Sequence, residues 1–195
     1  MRWAAFSGIA FVVGFLAGIA LFGAGAGSRP AEIAAYYSSH GHRVRQIAGF
    51  YVLGVSVLFF LWFVAVLCRK LGAPFVLAAG SLTAALLLAA DSAWAATAVT
   101  VQHEPGFVLD PNTHLLVEDA GFVLFVASML AAMLFVTVTS VAIVRTQALA
   151  RLAGILGFPI AASLAASWYY LPVFAFLAWI AALSLMLAFA GPSSD

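Results

Sequence analysis

The side chains of this 195-residue chain that could carry chemistry are few, and most gather in two stretches. His40 and His42 form an H-x-H pair. His103, Glu104, Asp110, His114, Glu118 and Asp119 make up the second group. Imidazole and carboxylate are ligands of zinc, copper and iron sites. His40, His42, His103, His114 and Glu118 would suffice as ligands if the two stretches met. Zinc or another transition metal is the cofactor they would hold. His114 and Glu118 are four apart, hence on one face if helical. Against this, H-x-H and H-x-x-x-E specify little alone, and solvated loop histidines bonded to nearby acids give the same pattern. Haem between helices is disfavoured, because no histidine lies within an apolar run.

Another constellation sits in apolar surroundings. Asp91 is the one ionisable residue deep in such a run, where an acid is costly and normally faces protein or water. Its helical face reads Ala84, Leu88, Asp91, Ala95 and Ala98, small enough for a second helix to come close. Counting residues puts Ser56 and Ser128 at about the same depth, so the three predict a small polar layer. It would serve as a proton or cation site, or as a hydrogen-bonded contact that holds helices together. A serine hydrolase would need a histidine at that depth, and there is none. Gly23 to Gly27 is a glycine-rich linker, not a G-x-G-x-x-G after a strand. The chain therefore reads as non-enzymatic.

The elements that must position these residues are set by composition. The chain is 66% hydrophobic and 8% charged, with mean hydropathy +1.14, against ~25% charge in soluble domains. Lipid must solvate much of its surface. The net charge of +1 says nothing about nucleic acid, and no basic patch is large enough to suggest such a partner. Its single cysteine, Cys68, excludes an internal disulfide and a cysteine-based metal site. At ~20 apolar residues per crossing, six spans are predicted: 3–23, 47–68, 74–100, 119–144, 151–168 and 172–190. The expected fold is all-α, one polytopic membrane bundle over residues 1–195 with six transmembrane helices and two outer loops. Arg2, Arg69, Lys70, Arg145 and Arg151 outnumber Arg29, Arg43 and Arg45. That bias places both termini in the cytoplasm, in a multi-pass plasma-membrane protein.

Local signals refine the picture. Arg2, the first apolar run and Ala24-Gly25-Ala26 resemble a signal peptide. However, the run exceeds the usual ~7–15 residues, and Ala10, Gly14 and Gly18 suit a helix approached closely by another. A retained helix is expected. Trp3 should sit near the inner interface, and Trp168, Tyr169 and Tyr170 at an outer turn. Pro159 should kink the fifth span. Pro30 and Glu32 predict a short outer helix over 30–39, lying on the membrane through Ile33, Tyr36 and Tyr37 and broken by Gly41. Pro105-Gly106 reads as a turn, and Asp110-Pro111 as a helix start.

Glu32 through Leu71, with Tyr36-Tyr37, Ala48-Gly49-Phe50, Phe60-Leu61-Trp62-Phe63 and Arg69-Lys70-Leu71, resembles a group of uncharacterised actinobacterial membrane proteins. So do Asp110-Pro111, Glu118-Asp119-Ala120-Gly121-Phe122, and Arg145-Thr146 through Gly154. That group often has a Pro-Arg-Trp-Leu-Gly-like run where this chain has Ala150-Arg151-Leu152-Ala153-Gly154. The resemblance implies six helices and no known activity, so no functional residue carries over from it. Three functions stand at this point. The first is a non-enzymatic accessory or structural component that meets a membrane-protein partner or its own copies. The second is a small proton-linked transporter using Asp91. The third is an outer-face metal-binding or oxidoreductase subunit.

Overall fold

The computed structural model describes residues 6–23, 25–104 and 106–189; Arg2, Trp3, Ala24 and Pro105, which carry expectations above, lie outside the described residues. Seven α-helices and one 3-10 turn make up the described chain, with no strand among the described residues. They are α1 Ser7–Phe22, α2 Pro30–Ser38, α3 His40–Leu71, α4 Pro74–His103, α5 Pro111–Thr146, α6 Arg151–Leu164, the turn Ser167–Tyr169, and α7 Leu171–Phe189.

The boundaries follow from local chemistry. Proline stands in the first turn of α2, α4 and α5, where its missing N–H is no loss. Asp110 caps α5, its Oδ2 accepting from the Thr113 backbone N–H at 2.8 Å and from the Thr113 hydroxyl at 2.7 Å. Gly72 ends α3 at φ 62°, a left-handed value that glycine adopts without strain. The break between α2 and α3 falls at Ser39, which is extended. Gly41 therefore lies inside α3 and is not the breaker its type suggested.

Four helices, α3, α4, α5 and α7, are long and apolar enough to cross a membrane; α1 and α6 are apolar but shorter. The helices other than α2 pack as a closed ring in chain order. α1 lies on α3, α3 on α4, α4 on α5, α5 on α6, α6 on α7, and α7 returns to α1. Aromatic rings fill its middle. Phe60 is fully buried, with its ring centroid 4.9 Å from Phe11, 5.5 Å from Phe135 and 6.3 Å from Phe176. The outward faces carry exposed Val13, Val55, Trp62, Leu82, Leu134 and Leu152, as expected of helices solvated by lipid.

Between lipid-solvated helices there is little hydrophobic drive, so close packing must hold them. Small residues provide it. A Cβ on Gly14 would stand 2.7 Å from Ser56 Cβ, and one on Gly18 3.2 Å from the Leu53 backbone. The small-residue face of α1 therefore seats α3. On α6, a Cβ on Gly157 would overlap Ser140 Oγ of α5. Pro159 lies inside α6.

Arg69, Lys70, Arg145 and Arg151 share one end of the ring, where Gly72 and Ala73 meet Arg145 and Thr146 around one groove. The opposite, polar end carries α2 and the histidines. There α3, α4 and α5 rise far beyond the other helices. At 1.5 Å per residue, the 36 residues of α5 run ~54 Å. The turn before α7 reaches only to Phe122 and Phe125, on which Trp168 and Tyr170 pack at 4.6 and 5.8 Å. α2 fills the remaining space. Ile33 and Tyr37 are buried against Ala26 and Ala98, so α2 docks on protein, not on a membrane surface as its sequence suggested.

Candidate functional site

Beneath α2, at the mouth of the ring, lies a cavity of about 440 Å³. Every helix of the polar end contributes to its wall. Phe22 closes α1, Gly23, Gly25 and Ala26 form the linker, and Tyr37 comes down from α2. Gln46 faces it from α3, Trp94 and Thr97 from α4, His114, Glu118, Asp119 and Phe122 from α5, and Tyr170 from the turn before α7.

Two arginines fix the roof, each on the carbonyl end of a helix, where positive charge is favoured. Arg43 donates to the carbonyls of Tyr37 and Ser38 and, through Nε, to Gln102 Oε1 at 2.9 Å. That clamps α2 to α3 and α4. Arg45 donates to the Ala20 carbonyl at 2.7 Å, fixing the end of α1. The linker crosses close to the acids. Gly25, at φ 77°, is near enough that an added Cβ would stand 3.6 Å from Glu118 Oε1.

The polar wall is incompletely bonded. Gln46 is 8% exposed, and its Nε2 donates to the Trp94 carbonyl at 2.9 Å. Only the amide nitrogen can meet a carbonyl oxygen, so the orientation is fixed. Its Oε1 is left buried without a partner. His114 is 4% exposed. Its Nδ1 stands 3.1 Å from Thr97 Oγ1, and Tyr37 presents its ring edge-on at 5.0 Å. His114 Nε2 lies 3.4 Å from Glu118 Oε2 but makes no hydrogen bond. With its proton on Nε2, toward the carboxylate, His114 would accept from Thr97 at Nδ1. The Tyr37 hydroxyl faces Gln46 and Thr97, and burial raises it to about 12. It therefore stays protonated.

The five expected metal ligands are not brought together. His40 is exposed at the first residue of α3. His42 stacks on Tyr36 at 4.5 Å, and its Nδ1 lies 3.3 Å from the Tyr36 carbonyl. His103 is exposed at the end of α4, its Nδ1 3.0 Å from the Val99 carbonyl. Only His114 and Glu118 meet. Among the described residues no three His, Cys, Asp or Glu side chains converge on one point. At the polar end Arg43 bonds Tyr37, Ser38 and Gln102, and His42 and His103 each turn to a backbone carbonyl.

No hydrogen bond joins the three residues of the predicted polar layer. Asp91 is fully buried in the stripe with Ala84, Ala95 and Ala98. Both its oxygens lack hydrogen-bond partners. Ser56 donates to its own helix at the Leu53 carbonyl, 2.7 Å, and Ser128 to the Phe125 carbonyl, 2.6 Å. The Asp91 carboxyl instead faces α3, where a Cβ on Gly54 would stand 3.9 Å from Oδ2. It lies one turn below Trp94 and Ala95, under the cavity floor.

The sequence reading missed Tyr37, Gln46, Trp94 and Thr97 as site residues. None of the four has a clear signal; Gln46 is an uncharged polar residue just ahead of an apolar run. Compared with protein-family models, curated proteins and solved structures, the chain matches none, so its own geometry must carry the functional reading.

Proposed function

We propose that this chain is a non-enzymatic integral membrane protein that binds a small ligand at the outer face of the plasma membrane. It crosses the bilayer six times, with both termini cytoplasmic, and acts as an accessory component. The observation that carries the reading is the 440 Å³ cavity at the polar end, with buried Gln46 Oε1 and His114 Nε2 unpartnered in its wall. Buried polar atoms normally have partners, and a cavity of this size suits a small molecule. The basic residues at the opposite end support the orientation.

Filling the cavity tests the reading. Ala93 lines it and is half-buried on α4, so Ala93→Phe would occupy the space from one side. Native mass spectrometry of protein drawn from its own membranes should show a bound small molecule in wild type and none in Ala93→Phe. Identical spectra from two equally folded proteins would end the proposal.

Asp91 favours a second reading, proton-linked transport. A buried carboxyl with neither oxygen bonded can exchange a proton without breaking a hydrogen bond. Proton flux in reconstituted vesicles should then vanish in Asp91→Asn; equal flux in both proteins removes this reading.

A further inference from the structure

We infer that the outer cavity takes a protonated primary or secondary amine attached to an apolar body. This inference rests on the ligand-binding reading above and names the ligand class.

The wall is rich in acceptors and carries no cation. Glu118 and Asp119 line it, and no Lys or Arg does. The nearby basic groups are committed elsewhere, Arg45 to the Ala20 carbonyl and Arg43 to α2 and Gln102. Of the other acids of this end, Glu32 lies beside Arg29 at 3.7 Å, Asp110 accepts from Thr113, and Glu104 is exposed at the end of α4, outside the cavity wall. Glu118 has only the Nε2 edge of His114 at 3.4 Å, and its side chain stays 43% exposed, toward the mouth.

Gln46 supplies an independent indication. Its Oε1 is buried in the cavity wall and unpartnered, and its amide nitrogen is spent on Trp94. The open position there is therefore for a hydrogen-bond donor. A ligand that gives both positive charge and an N–H is an ammonium with at least one hydrogen. A quaternary ammonium would leave Gln46 unsatisfied. Phe22, Trp94, Phe122 and Tyr170 add aromatic rings to the wall. Their ring faces attract a cation and bury an apolar substituent. Such an amine has two sources, the ethanolamine headgroup of a phospholipid or a soluble amine.

The test uses the full chain in nanodiscs, with 2-phenylethylammonium as probe and neutral 2-phenylethanol as its isostere. In phosphatidylcholine discs, whose headgroup has no N–H, the ammonium should bind about tenfold or more tighter than the alcohol. Glu118→Gln combined with Asp119→Asn keeps side-chain volume and should remove that preference. Gln46→Met should weaken both probes, because the alcohol O–H can also donate to Gln46. Discs containing phosphatidylethanolamine separate the sources. Loss of probe binding there identifies the lipid headgroup; unchanged binding identifies a soluble amine. Equal affinity for ammonium and alcohol, no binding of either, or no change in the acid variant at unchanged melting temperature would overturn the inference. If wild type still carries a molecule that Ala93→Phe lacks, the ligand class has failed and the cavity reading stands.

Discussion

Asp91 and Asp110 are both aspartates of the same half of the molecule, yet their surroundings give them opposite behaviour. Asp91 is fully buried with no hydrogen bond to lose. Asp91→Asn should therefore express and melt like wild type, whatever it does to proton flux. Asp91→Val, which removes the unpartnered group at similar volume, should raise stability by about 1 kcal/mol. A lower melting temperature for the valine variant would show that the carboxyl has a partner. Asp110 is exposed, and the Thr113 hydroxyl and backbone N–H hold its carboxyl below the usual range. A depressed folded value means that the cap contributes fully above the unfolded value of ~3.9 and is lost as pH falls through the folded one. Hydrogen exchange at the Thr113 amide should therefore accelerate only at acidic pH, and Asp110→Asn should abolish that pH dependence. The sequence reveals both aspartates, one as the lone acid in an apolar run and one as Asp-Pro before a helix. It conceals Gln46 and Thr97. A polar residue near the end of an apolar run reads as a membrane exit, and the bond from Gln46 to Trp94 spans 48 positions, beyond any helical periodicity.

Single elements show the same division between local and long-range signals. Residues 30–39 were legible as a helix because Pro30 and Glu32 are start signals. Its docking was not, because Ile33 and Tyr37 suit lipid or protein equally. What decides is Arg43, whose bonds to Tyr37 and Ser38 hold α2 on the bundle. Arg43→Ala should leave the ring folded while amide exchange in Pro30–Ser38 speeds up; unchanged exchange would mean that Ile33 and Tyr37 alone anchor it. Glycine stripes were legible as close-approach faces, though not their partners. Because a Cβ at Gly157 would overlap Ser140 Oγ, Gly157→Ala must part α5 from α6 or turn the hydroxyl away. A loss of about 1–3 kcal/mol is expected, measurable as a lower melting temperature in detergent. Ser140→Ala should restore part of it, because the clash is with the hydroxyl oxygen.

At the scale of the whole molecule, the ring was legible as an apolar bundle but not as a closed order of contacts, which depends on α7 returning to α1. Nor was its uneven height, since hydropathy reports apolar length and ignores the polar overhang of α3 to α5. That overhang leaves the mouth for α2 and the linker to roof. It also makes the number of crossings a physical question, because α1 and α6 have only 16 and 14 helical residues against the ~20 of a typical span. Two features support the proposed crossing by α6. The chain continues through Ala165 and Ala166 into the 3-10 turn, which rises faster per residue than an α-helix. Trp168, Tyr169 and Tyr170 then stand exposed where interfacial aromatics belong. If α6 crosses, Arg151 and Tyr169 lie on opposite faces of the membrane. Cys68 is the sole cysteine, so Cys68→Ser gives a background for single replacements. Tyr169→Cys and Phe107→Cys should react with a membrane-impermeant maleimide added to intact cells. Arg151→Cys and Gly72→Cys should react only after the membrane is opened. Labelling of Tyr169→Cys only in opened cells would leave α6 and α7 on one side of the bilayer and reduce the crossings from six.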